Sequence, residues 1–557
     1  MQPVSTARRG SSLRSGVALV AAASALFASR IAGADLCPAA YQAGQLDHWA
    51  NGAVFYQIFV RSFQDSDGDG VGDFNGLTSR LDYLNDGNPD TNSDLGVDAI
   101  WLMPITEARS YHGYDTLNYD RIDRDYGSEG DFDRFLAEAH RRGIRVIMDL
   151  VVNHTASGHP WFIQADQSVK DSFHDWYVWR EDDPGWTQPW SSASTWHKSR
   201  FLPLYYYGLF WAGMPDLNFE NPEVRAEMIA IANRWLARGV DGFRLDASRH
   251  IIEAGDEAKA GGSPETHEWW LEFGKKVRAE HPDALFVGEN WTTVDEIAAF
   301  YGDEPFSQLD MNFNFDLAAA LVGGVRDDTP GMIQMTLCDV ADYYPPHALD
   351  ATFLTNHDMI RVATQVRRPE RARLAASLLF TLPGVPFIYY GEEIGLVNGP
   401  GDEDPEKRTP MPWTDAGGFT TGEPWIVNRK ADPDVNVRRQ QENPDSLWHH
   451  YRRLIALRHD SAALGRGGYR PLEVDGGDGN VIAWERRHGD ERVIVAANFS
   501  ADRVKNISVL VAGQGGGVEA LLGEVDVALG GDGALTIESI SGRELVALRL
   551  APAKAIH

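Results

Sequence analysis

Short apolar runs recur between residues 54 and 390, separated by helical stretches, and most of them end in polar or acidic residues. Strands that alternate with helices form parallel sheets. Among parallel folds, a closed barrel gathers its functional side chains at the C-terminal ends of several strands, which matches this pattern. We therefore predict a (β/α)8 TIM barrel. Its clearest strands are expected at 99–103, 145–149, 242–246, 285–289, 351–356 and 386–390.

Two regions differ from this alternation. Residues 155–216 hold few periodic runs but seven tryptophans, which predicts an inserted subdomain after the third strand, with a small aromatic core or exposed aromatic platforms. Residues 445–458 have an apolar helical face, as expected for a last barrel helix, and short alternating strands with Gly-rich turns follow residue 465. The predicted domains are a barrel in two parts, 35–154 and 217–462, a subdomain at 155–216, and a C-terminal all-β sandwich domain at 463–557.

The first 34 residues are predicted to be a signal peptide. Arg8, Arg9 and Arg14 form a basic start, residues 17–28 an apolar core, and residues 32–34 a small-residue cleavage site. The Arg8-Arg9 pair is compatible with twin-arginine export, but the usual hydrophobic residues after it are absent, so general secretion is an equal alternative. A membrane anchor is disfavoured because the apolar run is shorter than the roughly 20 residues of a transmembrane helix. We expect a secreted or periplasmic protein.

The chain is strongly acidic, with a formal net charge of −30 at pH 7. Such a charge repels nucleic acid and anionic membranes, and it is compatible with a neutral substrate and a bound cation. We therefore expect no nucleic-acid partner and no membrane partner. The two cysteines, Cys37 and Cys338, are too few for a disulfide scaffold, although export would permit one bond between them. Whether they pair stays open.

The predicted strand ends carry the candidates for chemistry. Arg244 and Asp246 stand at positions i and i+2, which place both side chains on one face of a strand. A guanidinium beside a carboxylate favours the ionised form, which a nucleophile requires. Glu289 ends the next run, and Asp358 follows a third. Carboxyl groups that meet at one edge of a barrel indicate nucleophilic and acid–base chemistry.

Four segments resemble, in order, the conserved regions of the α-amylase superfamily: DLVVNH (149–154), GFRLDASRH (242–250), VGEN (287–290) and TNHD (355–358). MPDLN (214–218) resembles a fifth, of the type found between oligo-1,6-glucosidase-like and neopullulanase-like members. The resemblance extends from about residue 54 to at least residue 413. It implies a glycoside hydrolase that acts on α-glucosidic bonds by a retaining mechanism through a covalent glycosyl-enzyme intermediate.

The resemblance also implies roles for single residues. Asp246 would be the nucleophile, Glu289 the general acid/base, and Asp358 the third carboxylate, which holds the sugar hydroxyls. An isolated strand-end aspartate more often caps a helix, but the ordered motifs argue against that alternative here. The other residues implied for this subsite are His154, Arg244 and His357.

Exo versus endo action stays open at this point. Tyr114 and Asp115, after the second strand, resemble the family's aromatic stacking residue and a neighbour that reaches the terminal sugar. Arg408, in RTPMPW (408–413), resembles the exo-acting α-glucosidase branch, in which this arginine partners such an aspartate. These features indicate recognition of a non-reducing end. DASRH (246–250) instead resembles endo-acting amylases.

An acidic loop, DSDGDGVGD at 65–73, has oxygen ligands at alternate positions and glycines where a calcium loop turns sharply. It departs from an EF-hand because Gly76 stands at the twelfth position instead of the bidentate Glu. A related loop follows the first strand in oligosaccharide-cleaving family members, so we predict a structural Ca2+ in preference to a plain acidic turn. The predicted ligands are Asp65, Asp67, Asp69, Asp73 and the carbonyl of Val71.

The sequence therefore predicts a secreted, calcium-binding α-amylase that cleaves α-1,4-glucosidic bonds in starch and maltooligosaccharides. The alternative enzyme is an exo-acting α-glucosidase or transglucosylase on short α-glucosides. A non-catalytic glycan-binding barrel is disfavoured, because such proteins lose catalytic carboxylates and this chain keeps all three. The sequence does not fix the oligomeric state, for which a monomer is favoured, or the balance of hydrolysis against transfer.

Overall fold

Eight parallel strands form a closed barrel, and their order around the barrel follows their order in the chain. The computed structural model describes residues 46–252, 261–430, 432–511, 517–530 and 533–551. The predicted signal peptide lies outside these ranges. The barrel strands are β1 (Phe55–Ile58), β2 (Ala99–Leu102), β3 (Arg145–Leu150), β4 (Gly242–Leu245), β5 (Leu285–Gly288), β6 (Met311–Phe313), β7 (Leu349–Phe353) and β8 (Val385–Tyr389).

The barrel interior is filled by aromatic side chains. Phe55 stacks on Phe387 with ring centroids 4.4 Å apart, and Phe313 packs against both Phe387 (4.9 Å) and Trp101 (5.2 Å). Because the outer faces of the strands meet helices, the strands are buried on both sides and read as continuous apolar runs. The barrel is thus a packed core, and it leaves the C-terminal strand ends as the place for a site.

Seven helices of 13 or more residues pack around the barrel within the described residues. They are α1 (Glu129–Arg141), α2 (Pro222–Arg238), α3 (Pro264–Glu280), α4 (Phe315–Asp327), α5 (Gly331–Tyr343), α6 (Pro369–Thr381) and α7 (Leu447–Asp460). Helix α7 corresponds to the helix predicted at 445–458, displaced by two residues. Shorter helices span Val60–Phe63, Phe74–Ser79, Leu81–Leu84, Pro160–Ala165, Val294–Ala298, Val362–Val366, Asp404–Lys407, Val437–Glu442 and Ala462–Arg466.

The tryptophan-rich segment between β3 and α2 forms a small three-stranded antiparallel sheet. Trp161 and Trp176 belong to an aromatic core, with ring centroids 4.7 Å apart. Trp190 and Trp211 are instead 55% and 54% exposed. The segment therefore provides both the aromatic core and the exposed platforms expected from its composition. Its strands are Trp179–Arg180, Trp196–Lys198 and Tyr205–Tyr207.

The C-terminal part of the chain is all β. Its strands are β9 (Gly468–Leu472), β10 (Val474–Asp475), β11 (Val481–His488), β12 (Glu491–Asn498), β13 (Val504–Leu510), β14 (Val518–Leu522), β15 (Val527–Leu529), β16 (Ala534–Ile540) and β17 (Leu545–Leu550). They form a five-stranded sheet, β9-β11-β12-β17-β14, and a four-stranded sheet, β10-β13-β16-β15. One apolar cluster includes Ile494 from the first sheet and Ile537 from the second, so the two sheets make a sandwich.

The predicted fold class is confirmed. Six of the eight barrel strands lie at the predicted runs, with ends that differ by a few residues. The structure also gives the bounds of the first strand, β1, and adds the three-residue β6. The exact domain boundaries stay predictions. No described helix combines the length and the apolar character needed to cross a membrane. Cys338 is disulfide-bonded, and Cys37 lies outside the described residues.

Candidate active site

Arg244 is the centre of a buried charge cluster at the C-terminal edge of the barrel. Its guanidinium forms ion pairs with Asp149 (2.7 Å), Asp246 (2.6 Å) and Glu289 (2.8 Å). Arg244 on β4 lies level with Asp149 on β3, and Asp246 follows two residues later on the same face. One buried cation therefore contacts three carboxylates.

A chain of hydrogen bonds connects this cluster with β1. The Tyr114 hydroxyl donates to Asp149 (3.1 Å) and lies 2.6 Å from His357 Nε2. Gln57 Nε2 lies 2.8 Å from His357 Nδ1. Because an amide nitrogen only donates, Nδ1 accepts, and the ring proton is on Nε2, where it faces Tyr114 and Asp358. Burial and the Asp149 charge hold the pKa of Tyr114 well above its usual range, so the phenol remains a donor.

Glu289 is held at the end of β5 by two contacts. One carboxyl oxygen pairs with Arg244, and the other accepts a hydrogen bond from the Ala247 backbone (3.1 Å). Ala247 has φ of 48°, a left-handed conformation that is uncommon for residues other than glycine. Burial raises the pKa of Glu289 to about 8. The charge of Arg244 lowers this pKa, and the charges of Asp246 and Asp358 raise it. The carboxyl therefore holds a proton at neutral pH.

Asp358, after β7, is in the opposite protonation state. Arg408 pairs with one carboxylate oxygen (2.8 Å), and His357 Nε2 lies 3.0 Å from the other. Burial raises the pKa of Asp358, but His357, Arg408 and Arg244 together hold it well below its usual range. Asp358 is thus ionised at a pH at which Glu289 is protonated.

The resemblance to α-glucosidases implied an ion pair between Arg408 and Asp115, but the two residues do not pair in the structure. Arg408 Nε donates to the His357 carbonyl (3.1 Å), which fixes the guanidinium beside Asp358. The Asp115 carboxylate accepts hydrogen bonds from the backbone and the hydroxyl of Ser110 (3.0 and 2.5 Å). The expected ion pair is therefore absent among the described contacts, because each partner is held by its own loop.

Packed side chains from the loops after β2 and β8 form a wall beside Asp358. The Arg408 guanidinium lies 5.9 Å from the Tyr111 ring centroid. Tyr111 stacks on Trp425 (5.4 Å, 28°), which meets Phe59 edge to face (6.0 Å). Arg408 is only 2% exposed, so this wall is already formed without a ligand.

Exposed aromatic rings flank other parts of the site. His154 is buried, and its ring lies 5.1 Å from Phe210, which in turn lies 5.5 Å from Trp190. Trp291 follows β5 and stacks on Phe315 (4.4 Å, 11°). Trp190 and Trp291 are 55% and 54% exposed, so two indole faces near the cluster are open to solvent.

The acidic loop after β1 gathers three of the five predicted calcium ligands. Carboxylate oxygens of Asp65, Asp67 and Asp73 lie within 4.8 Å of one another. Like charges at this distance repel unless a cation lies between them, and an all-oxygen set suits Ca2+, so the residues fit a structural calcium ion. Asp69 is outside this group, and its carboxylate accepts a hydrogen bond from the Val71 N–H (2.8 Å). Ligation by Asp69 and by the Val71 carbonyl stays a prediction.

Two residues with central contacts were absent from the predicted site. Asp149 begins the DLVVNH segment, and its position level with Arg244 on the neighbouring strand is the signal that identifies it. In the buried strand FYQI, Gln57 is the one non-aromatic side chain that can form hydrogen bonds. A buried amide needs a partner, so its position indicates a functional contact.

Comparison with known proteins identifies the family. The family model for the alpha amylase catalytic domain matches residues 57–467. This chain belongs to the α-amylase family. It is 38% identical over 473 residues to Alpha-amylase 3 of Dictyoglomus thermophilum, covering 84% of this chain and 88% of that protein. It is 33% identical over 524 residues to an oligo-1,6-glucosidase of Bacillus cereus, covering 82% and 91%.

A solved structure agrees with this assignment. The α-amylase from H. orenii has a TM-score of 0.79 and 36% identity, covering 90% of this chain and 99% of that one. The resemblance carried by the ordered sequence segments is therefore confirmed, and the chain is a glycoside hydrolase of the α-amylase family. Since the relatives are named for different bonds and substrates, family membership leaves the specificity to be argued from the site.

Proposed function

We propose that this α-amylase family enzyme hydrolyses short α-glucans from their non-reducing ends. The asymmetry of the site carries the proposal. Arg408, Tyr111 and Trp425 close the side next to Asp358, whereas Trp190 and Trp291 leave open aromatic faces elsewhere. A site closed on one side suits a chain end. The similarity to the oligo-1,6-glucosidase of B. cereus supports the same assignment.

In the proposed mechanism, Glu289 donates its proton to the glycosidic oxygen while Asp246 attacks the anomeric carbon. The bond to the leaving sugar breaks, and a covalent glycosyl ester forms on Asp246. Glu289, now ionised, then takes a proton from water, which attacks the anomeric carbon and releases Asp246. The raised pKa of Glu289 supports its part as the acid, and the shared contact with Arg244 keeps both carboxyls close to the same bond.

The neighbouring residues are assigned to the sugar that carries the reacting carbon. Asp358 is ionised and accepts from sugar hydroxyls, and His154 and His357 are neutral because burial lowers the pKa of each ring. Tyr114 offers a ring face, and Arg244 holds the nucleophile. Asp115 is assigned an indirect part, through the loop that it ties to Ser110.

The acidic loop is proposed to bind one Ca2+ through Asp65, Asp67 and Asp73, with Asp69 and the Val71 carbonyl completing the shell. The ion would neutralise three clustered carboxylates and so stabilise the loop after β1. This role is structural, because none of these carboxylates takes part in the Arg244 cluster.

An endo-acting α-amylase is the second candidate. The identities to the two α-amylases, 38% and 36%, exceed the 33% to the oligo-1,6-glucosidase. The segment after Asp246, with Ala247 and His250, also resembles endo-acting amylases. The absence of the Arg408–Asp115 pair removes one of the features that favoured an exo enzyme.

The two candidates differ in their need for a free chain end. We would compare maltoheptaose with maltoheptaose blocked at its non-reducing glucose. An exo enzyme releases glucose from the free substrate and leaves the blocked one intact. An endo enzyme cleaves both at similar rates and releases mixed maltooligosaccharides early. Cleavage of the blocked substrate at the rate of the free one therefore rules out the first proposal.

The matched variant is Asp246→Asn, which keeps the size of the side chain and removes its charge. We expect it to be inactive on both substrates, with an unchanged melting temperature. If it retains full activity, the assignment of the nucleophile is wrong for either candidate. Products longer than the substrate would indicate transglucosylation.

Export is proposed for the same enzyme. The basic and apolar pattern of residues 1–34 supports it, as does the disulfide bond of Cys338, since disulfides persist in oxidising compartments. Expression in a secreting host, followed by N-terminal sequencing of the external protein, tests this. A mature protein that begins near residue 35 supports export, and full-length protein retained inside the cell contradicts it.

A further inference from the structure

The short segment after β4 is hydrogen-bonded to the segment after β5 at three successive positions. The Ala247 N–H donates to a carboxyl oxygen of Glu289 (3.1 Å), and the Ser248 hydroxyl lies 3.1 Å from the Glu289 carbonyl oxygen. Arg249 donates to the carbonyl of Trp291 (2.9 Å). The residues that follow the proposed nucleophile therefore hold the residues that carry the proposed acid.

Ser248 is at the centre of this contact. It has no exposed surface, and its carbonyl accepts a hydrogen bond from the buried indole of Trp270 on α3 (2.8 Å). Its hydroxyl lies 2.9 Å from Asn290 Oδ1 as well as 3.1 Å from the Glu289 carbonyl oxygen. Because a hydroxyl carries one proton, it donates to one of these two oxygens at a time, and both belong to the segment of the acid. Ser248 thus connects a barrel helix to the backbone of Glu289.

The backbone around Glu289 is enclosed by other buried polar side chains. Asn290 Nδ2 donates to Asn312 Oδ1 on β6 (2.7 Å), and both residues are fully buried. These amides pack closely on Gly288, where an added Cβ would come within 2.5 Å of Asn312 Oδ1 and 2.9 Å of Asn290 Nδ2. The amides therefore fix one side of the acid's segment, and Ser248 fixes the other.

Ala247 needs such support, because its φ of 48° lies in the left-handed region. A residue other than glycine stays in this region only where its surroundings hold it there. The N–H that contacts the Glu289 carboxyl belongs to this residue, and Ser248 is the next residue along the chain. The direction of that N–H therefore depends on how firmly Ser248 is held.

We propose that Ser248 is a positioning residue for the general acid. Its hydroxyl holds the backbone of Glu289, and its anchored peptide keeps the Ala247 N–H directed at the Glu289 carboxyl. The acid is thereby kept at a fixed place relative to Asp246. Since Ser248 has no exposed surface, it acts through Glu289 and not by contact with the sugar. The inference rests on the proposed role of Glu289 as the acid.

The test variant is Ser248→Ala, which removes only the hydroxyl. We would measure kcat/KM on maltoheptaose and on an aryl α-glycoside with a dinitrophenol leaving group. The sugar part of the aryl substrate is glucose for an exo enzyme and maltotriose for an endo enzyme. Dinitrophenolate leaves without a proton, so this substrate reports on the nucleophile and on the fraction of folded enzyme, whereas maltoheptaose also needs the acid.

The matched control is Ser377→Ala on α6. This serine is also buried, and its hydroxyl lies 2.9 Å from His450 Nε2, so the same substitution removes a buried hydrogen bond outside the site. Melting temperatures of both variants are measured beside the kinetics.

We expect Ser248→Ala to lower kcat/KM on maltoheptaose at least about fivefold, while kcat/KM on the aryl substrate stays within about twofold of wild type. Ser377→Ala should leave both values unchanged. The proposal is overturned if Ser248→Ala keeps its kcat/KM on maltoheptaose. It is also overturned if both substrates are lost by the same factor, which indicates a general loss of structure.

Glu289→Gln in the same two assays separates this inference from the proposed function. If Glu289 is the acid, this variant loses far more activity on maltoheptaose than on the aryl substrate. An equal loss on both substrates, or no loss, contradicts the role of Glu289 itself. A difference between the substrates in Glu289→Gln without one in Ser248→Ala contradicts only the positioning role of Ser248.

Discussion

Gln57 sets the tautomer of His357, and its replacement is expected to reduce activity. The amide donates to His357 Nδ1 over 2.8 Å, so the ring proton stays on Nε2. In Gln57→Leu this donor is lost inside the barrel, where Gln57 is 1% exposed. The ring then either keeps an unsatisfied buried Nδ1 or moves its proton there. In the second case Nε2 and Asp358, 3.0 Å apart, would both be acceptors.

The size of the effect follows from the cost of a buried acceptor without a partner, about 1–3 kcal/mol. If the lost hydrogen bond destabilises the transition state by this whole amount, kcat/KM falls by a factor of roughly 5 to 150. If the loss destabilises the folded state as a whole instead, the free energy of unfolding falls by the same amount while kcat/KM changes little. Because the affected ring contacts both Tyr114 and Asp358, we expect most of the cost to be seen in kcat/KM.

The assay measures kcat/KM on maltoheptaose and the free energy of unfolding in urea for three variants. Gln57→Glu keeps the size of the side chain, but its carboxylate accepts and draws the proton to Nδ1, so it should lose as much activity as Gln57→Leu. Thr352→Val is the control, because the Thr352 hydroxyl is buried without a partner in the described structure. The control should retain wild-type kcat/KM.

The reasoning is refuted if Gln57→Leu keeps kcat/KM within twofold of wild type while its stability falls. Gln57 would then be a packing residue only. Full activity in Gln57→Glu would show that the tautomer of His357 does not matter for the reaction.

The raised pKa of Glu289 predicts that kcat/KM on maltoheptaose falls above about pH 8, because the acid loses its proton. Aryl glycosides with good leaving groups need no protonation and should not show this fall. The pH profiles of kcat/KM on maltoheptaose and on an aryl glycoside check both outcomes. Trp190→Ala and Trp291→Ala should raise KM for maltoheptaose roughly threefold to tenfold but leave maltose nearly unchanged, as steady-state kinetics will reveal. EDTA should lower the melting temperature measured by calorimetry, and added Ca2+ should restore it. In Asp65→Asn the melting temperature should not respond to EDTA or Ca2+.

The barrel was predictable because its strands are buried on both faces and therefore read as apolar runs with polar ends. β6 was not predicted, because it has only three residues, Met311–Phe313, which are too few for a periodic signal. The first strand was expected but without bounds, because Gln57 interrupts the apolar run of β1. Local sequence was insufficient in both places, since pairing with neighbouring strands decides that these segments are extended.

The site was predictable where strand geometry alone positions a side chain. Arg244 and Asp246 stand two residues apart on one strand, so their contact follows from the period of a strand. The partner of Arg408 was not predictable in this way, because two long loops decide which carboxylate it meets. In the structure its Nε is held by the His357 carbonyl, and this backbone contact selects Asp358 over Asp115.

The register between neighbouring barrel strands also explains why carboxyl groups of the site hold protons at neutral pH. Parallel strands place Asp149 level with Arg244, and β5 adds Glu289, so that one guanidinium faces three buried carboxylates. One positive charge cannot neutralise three negative ones in a poorly solvated interior, so some of the carboxyls retain protons at neutral pH. Burial raises the pKa of Asp149 to about 7 and that of Glu289 to about 8. The general acid is thus a consequence of how many carboxylates the barrel places around Arg244.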